Sequence, residues 1–180
     1  QRSHFLASTT TMTSSMNTKI TTPLLFTLPI QARELREFLP QRYPMMMVDR
    51  VTELVPGDSI SGIKNVTCNE EYFQGHFPQQ PMMPGVLMLE AMAQLAGVLG
   101  YVTVGKRPRD GLLFVFAGAD KLRFRRPVLP GDPLQLQARL LTVKCGIYKF
   151  ACHARVDGQL VTSVDILVAE QQLDFNPAGP

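Results

Sequence analysis

The chain is poor in the residues that build disulfide or zinc scaffolds. Three cysteines occur in 180 residues, Cys68, Cys145 and Cys152, an odd number with no C-x-x-C spacing. That pattern argues against a disulfide framework and a structural zinc site, and leaves three reduced thiols as the plain reading. Excess charge is also scarce. A formal net charge of +3 is too weak to point to nucleic acid by itself. No secretory signal stands at the N-terminus. Residues 1–22 are rich in Ser, Thr and Met and hold no acidic residue. They fit a transit-peptide fragment, sequence upstream of a start at Met12 or Met16, or a disordered leader, and their low arginine content favours the last two. Residues 1–27 are therefore set apart from a folded domain expected over 28–172, with 173–180 as a C-terminal tail.

What is present suits a globular domain with a real core: hydrophobic content is 45% and charged content 18%. Ile30–Leu39 reads as a short amphipathic helix stopped by Pro40, with Ile30, Leu35, Phe38 and Leu39 on or near one face. Met45–Leu54 and Ser59–Thr67 read as strands around a Pro56-Gly57-Asp58 turn. Phe73–Gly85 is a long loop dense in Pro and Gly. From Met82 to Val104 the only charged residue is Glu90. That length suits a membrane span. Pro84, Gly85, Glu90, Gln94, Gly97 and Gly100 interrupt it, however, and no aromatic or basic belt flanks both sides. A helix wrapped by its own domain is the better reading. Strands then follow at Leu112–Val128, Leu134–Lys144, Ile147–Val156 and Gln159–Ala169, with hairpin turns at Cys145-Gly146 and Asp157-Gly158. In the last strand Leu160, Val164, Ile166 and Val168 share a core-facing side. The pattern predicts an α+β fold, a curved antiparallel sheet around one long helix.

Glu90 stands out because glutamate is almost never fully buried unless paired or working. Burial there would favour a carboxylic acid able to donate a proton. The plainer alternative is a glutamate near the helix end that reaches water. His76 lies in Gly75-His76-Phe77-Pro78, and a lone histidine is more often structural than catalytic. Here Pro78, Pro81 and Pro84 stiffen its loop, which is one way to hold a base in place. Gly85 follows Pro84 in the first turn of the helix, where unpaired N–H groups and the positive end of the dipole can hold an oxyanion. Together these parts suit proton abstraction beside a thioester carbonyl, with no metal or cofactor required. His153 alternates with Cys152 and Ala154 and reads as a surface strand residue.

These residues carry a resemblance. Gly75-His76-Phe77-Pro78, Pro81-x-Met83-Pro84-Gly85-Val86-Leu87 and Glu90-Ala91-Met92-Ala93-Gln94 resemble the signature of β-hydroxyacyl-acyl-carrier-protein dehydratases of the FabZ type. Arg42-Tyr43-Pro44, Val48-Asp49-Arg50, Ile63–Thr67 and Phe116–Val128 are similar as well. The likeness covers roughly residues 28–170. It implies a hot-dog fold and loss of water from 3-hydroxyacyl groups on acyl carrier protein, in type II fatty acid synthesis. It assigns the catalytic histidine to His76, the carboxylate to Glu90 and the oxyanion N–H to Gly85. It further implies homodimers, commonly three per hexamer, whose sites take His and Glu from different subunits, in a bacterial cytoplasm or, with a transit leader, a plastid. Gln41 departs from a family histidine, Val115 from a gating tyrosine seen in some members, and Met45-Met46-Met47 from a Phe/Leu-rich run. Glu90, rather than aspartate, favours the plain dehydratase over the dehydratase–isomerase branch.

Two surfaces follow. Residues 104–126 hold Lys106, Arg107, Arg109, Lys121, Arg123, Arg125 and Arg126 against Asp110 and Asp120 only. On a regular strand Lys121, Arg123 and Arg125 share one face, with Leu122 and Phe124 on the other. This is either a solvated edge or, with Arg126, a docking surface for an acidic carrier protein. The acyl chain is expected beside the central helix, among Phe77, Met83, Val86 and Leu89. A hot-dog thioesterase and a non-catalytic acyl-binding module are the competing functions; the His76–Glu90 spacing and the intact pair argue against them.

Overall fold

A computed structural model describes residues 25–172. Strand β1 (Ile30–Gln31) leads into one helical turn, α1 (Ala32–Leu35). Strands β2 (Arg50–Val55) and β3 (Ser59–Asn65) follow, then helix α2 (Gly85–Val104). Strands β4 (Leu112–Phe124), β5 (Pro133–Lys144), β6 (Ile147–Val156) and β7 (Gln159–Gln172) complete the described residues. The seven strands form one antiparallel sheet in the order β1-β2-β3-β5-β6-β7-β4. This is the expected curved sheet around a central helix.

Helix α2 explains why the sheet curves. With one charge in its length, it needs cover on most faces, and β2 through β7 all pack against it. Ala91, Met92, Leu95, Ala96, Val98 and Leu99 are fully buried. Gly62 on β3 permits the close approach: a Cβ there would stand 2.7 Å from the Arg50 carbonyl oxygen and 2.8 Å from Leu95 Cδ1. The helix is long and apolar enough to cross a membrane, and 67% of its most apolar window lies inside the domain.

The sheet's inner face follows the period-two pattern of the sequence. Val164, Ile166 and Val168 are buried on β7. Leu160 is only half-buried, because a register shift opposite Ala154 and Arg155 turns Val161 inward instead. Both hairpin turns form as expected, with positive φ at Cys145, Gly146, Asp157 and Gly158. His153 points away from the core, half-buried, with its Nε2 2.6 Å from Gln137 Oε1. Cys68 and Cys145 are exposed and Cys152 is buried, all as free thiols.

Three expectations need correction. The helix expected over Ile30–Leu39 is a two-residue strand followed by one helical turn, because Ile30 pairs with Val51. Its four apolar residues are nonetheless buried. The strand expected from Met45 begins at Arg50. Before it, the backbone of Met45 and Met47 bonds to the Gln94 side chain rather than to a neighbouring strand. Strand β4 does not run to Val128, and Lys121, Arg123 and Arg125 do not share a face. A bulge between Asp120 and Arg123, with Lys121 at φ 56°, shifts the alternation, and Phe124 emerges 49% exposed. The leader and tail expectations fall mostly on residues 1–24 and 173–180, outside the described residues. Of the rest, Phe26 packs against the core.

Candidate active site

His76 is placed by backbone on both sides. A one-turn helix, Glu71–Gln74, ends beside it, and the Tyr72 carbonyl accepts the N–H of Gly75 at 3.3 Å and of His76 at 2.9 Å. Beyond the loop, Met82 N–H donates to the His76 carbonyl at 3.0 Å. The peptide between His76 and Phe77 is cis, and the two rings stack with centroids 4.2 Å apart.

The imidazole is oriented as well as placed. Its Nδ1 stands 2.8 Å from the Met82 carbonyl oxygen. A carbonyl can only accept, so Nδ1 carries a hydrogen toward it, and Nε2 takes no hydrogen bond from a described residue. The loop thus leaves Nε2 as the ring nitrogen available to react.

Helix α2 begins next to this ring. Pro84 is its N-cap rather than its first helical residue, and the Pro84 carbonyl accepts from Leu87 at 3.0 Å and Met88 at 3.2 Å. The Gly85 and Val86 N–H groups donate to no acceptor among the described residues. They are the outward-pointing donors of a helix start. The Phe124 ring lies over Gly85, and a Cβ there would stand 2.8 Å from it. Glycine therefore lets the β4 end close on the helix. His76, Met82, Met83, Pro84, Gly85, Val86, Met88, Phe124 and the 125–127 segment border one open, mostly apolar groove of about 710 Å³.

Glu90 belongs to the same helix but a different setting. Val86, Glu90 and Gln94 follow each other at four-residue spacing along one face. Along it exposure falls from 70% at Val86, through half-buried Glu90, to buried Gln94. Gln94 Nε2 donates to Glu90 Oε1 at 2.8 Å and to the Met45 carbonyl at 2.6 Å, and its Oε1 accepts Met47 N–H at 2.8 Å. One amide thus fixes the carboxyl against the Met45–Met47 segment, and Glu90 Oε2 takes no bond from a described residue. The sequence flagged Gln94 as a polar interruption and as the end of the motif, without a role. The missed signal was its place one helical turn after a lone glutamate.

The other expected residues divide. Met83 and Val86 border the groove, whereas Phe77 covers the imidazole and Leu89 packs on the core. Arg125 and Arg126 stand at the groove's rim, and Arg126 is bonded to Gln159. Lys121 turns to Asp165 at 3.3 Å, and Arg123 donates to the Leu122 carbonyl at 2.8 Å. Gln41 keeps a buried, unpaired Oε1, and Val115 is exposed on β4.

Residues 39–165 match the FabA-like domain. A 3-hydroxyacyl-[acyl-carrier-protein] dehydratase FabZ from Teredinibacter turnerae is 54% identical over 138 residues, 77% of this chain and 94% of its own length. The protein of the same name from Psychrobacter arcticus is 49% identical over 145 residues, 81% of this chain and 99% of its own. Among solved structures, the dehydratase heterocomplex ApeI:P from Xenorhabdus doucetiae superposes with a TM-score of 0.63 at 18% identity, covering 77% of this chain and 91% of its own. A Streptococcus mutans protein bound to acetyl-CoA superposes at 0.56 and 12% identity, covering 75% and 97%. These two likenesses speak for the fold alone, the hot-dog arrangement of sheet and central helix.

The Gln94 amide generates a direct test. Replacing it in Gln94→Met leaves the Met47 N–H and Met45 carbonyl unpaired at about 1–3 kcal/mol each and frees the Glu90 carboxyl. Turnover is expected to fall on the order of tenfold to a hundredfold, with KM little changed, in steady-state assays on the folded variant.

Proposed function

The chain belongs to the FabA-like family, and for its FabZ-type dehydratase activity we propose that His76 is the base, Glu90 the acid and the Gly85 N–H the oxyanion donor. The enzyme is a hydro-lyase that removes water from a 3-hydroxyacyl group on acyl carrier protein in fatty acid biosynthesis. The observation that carries the assignment is the His76 ring, with Nδ1 held by Met82 and Nε2 free, at the edge of the groove that starts at Gly85.

The chemistry follows from these atoms. His76 Nε2 takes the α-proton, and the electron pair left behind moves toward the thioester carbonyl. The Gly85 N–H meets the charge growing on that oxygen. Glu90, protonated on Oε2, gives its proton to the β-hydroxyl, the C–O bond breaks, and water and the trans-2-enoyl thioester form. Imidazolium and carboxylate then exchange a proton with solvent to reset the pair. The apolar groove suits an acyl or pantetheine chain, and no step calls for a cofactor.

His76 and Glu90 face different surroundings within one chain, and Glu90 does not border the groove. We place the Glu90 that serves each His76 on a second copy. Strand β4 supports this: thirteen residues long, it is an edge of the sheet and exposes Val115 and Phe116. A homodimer paired there, with three dimers to a hexamer as the higher assembly, covers that edge. Arg123, Arg125 and Arg126, at the groove's rim or beside it, are the proposed footing for an acidic carrier protein, with Lys121 more distant and already paired.

Two measurements test the reading. With 3-hydroxyacyl carrier substrate, His76→Ala is expected to lose enoyl formation by about a hundredfold to ten-thousandfold. Free thiol without enoyl product, or an active His76→Ala, contradicts it. Charge reversal at Arg123 and Arg125 together is expected to raise KM for carrier-bound substrate while kcat holds, most visibly at low salt; an unchanged KM removes the docking assignment.

A further inference from the structure

A buried lysine is expensive because its ammonium gives up water. Lys64 is buried nonetheless, with its side chain 6% exposed, on the core-facing side of β3 in line with Ile60 and Gly62. Three oxygens surround the ammonium: Glu70 Oε1 in close contact, the Asn65 carbonyl at 2.7 Å and Asp49 Oδ2 at 3.9 Å. An ammonium has three hydrogens to give. Asp49 is fixed in turn, its Oδ2 accepting Asn65 N–H at 2.6 Å and its own N–H donating to the Ile63 carbonyl at 2.9 Å. The cluster borders a separate cavity of about 610 Å³, and no step of the reaction uses it.

The chain connects this cluster to the imidazole. Glu70 is the residue from which the one-turn helix Glu71–Gln74 starts, and its carbonyl accepts Phe73 N–H at 3.2 Å. Within that turn, the Tyr72 carbonyl holds the His76 N–H. The Tyr72 hydroxyl is buried without a partner. Burial, with the Glu70 and Asp49 carboxylates nearby, holds it well above the ordinary phenol range. So the turn is gripped on its inner side by a charge cluster, while Met82 grips the imidazole on the outer side.

We infer that Lys64 is a positioning residue for His76: its ammonium anchors Glu70, and Glu70 sets the turn whose Tyr72 carbonyl fixes the histidine backbone. The inference rests on His76 being the base. Without the anchor, two carboxylates are left facing a buried phenol, the turn shifts, and the Nδ1–Met82 bond is held only part of the time. A purely structural ion pair would change the melting temperature and leave the imidazole and the turnover of the folded enzyme as they were.

The test uses Lys64→Met and Glu70→Gln in the full chain, at a temperature where circular dichroism shows each folded. Steady-state kinetics with 3-hydroxyacyl carrier substrate are paired with nitrogen NMR of isotope-labelled histidine. Lys64→Met is expected to lose about tenfold in kcat with KM nearly constant, and His76 to change from one Nδ1–H tautomer to a mixture. Glu70→Gln, which keeps an acceptor for the ammonium, is expected to show the same changes to a smaller degree. Native kcat and a single tautomer in folded Lys64→Met overturn the inference. If that variant does not fold, the same native result in Glu70→Gln overturns it. An inactive His76→Ala beside an unaffected Lys64→Met sinks this inference alone, whereas an active His76→Ala removes the base assignment and this inference with it.

Discussion

Water cannot accommodate a twenty-residue helix whose only charge is Glu90. Each fully buried Leu, Val or Met side chain contributes roughly 1.5–3 kcal/mol to enclosing it, and α2 holds many. The sheet must therefore curve, and Gly62 must be small enough for β3 to reach Leu95. Val86, in the first turn beside half-buried Gly85, is the one exposed residue of the helix. That turn is also where a helix has unpaired N–H groups. The place where the fold leaves the helix open is thus the place where it can hold an anion.

Two loops then meet the helix. The 75–84 loop lays His76 across its start, with Met82 fixing the tautomer. The Met45–Met47 segment crosses Gln94 one turn beyond Glu90 and fixes the carboxyl. Both groups proposed to react are held in place, yet one chain does not bring them to the same groove. Exposed Val86 and Phe124 at the groove, exposed Phe77 against the imidazole, and the free edge of β4 form apolar surface that a second copy would cover.

Much of this was legible in the residues. The run 82–104, charged only at Glu90, announced the buried helix, period-two alternation announced the core face of β7, and Cys145-Gly146 and Asp157-Gly158 announced their hairpins. The motif from Gly75 to Gln94 singled out the pair proposed to react. What escaped were features decided by tertiary partners. Met45–Met47 looks like the start of a strand, but Gln94, far along the chain, bonds to its backbone instead. Lys121 to Arg125 alternates like a strand face, but one bulge resets the alternation. Lys64 looks like a surface charge in a strand, and only the folded chain brings Asp49 and Glu70 to it.

The central claim is that each site joins His76 of one copy to Glu90 of another. Mixing His76→Ala with Glu90→Ala, each inactive alone, and allowing subunits to exchange tests it. In a mixed dimer one site loses both groups and the other regains both. With full exchange the account predicts recovery of about a quarter of the wild-type activity for a twofold assembly. No recovery, with subunit exchange verified by mass-tagged copies, would contradict it and place both groups within a single chain.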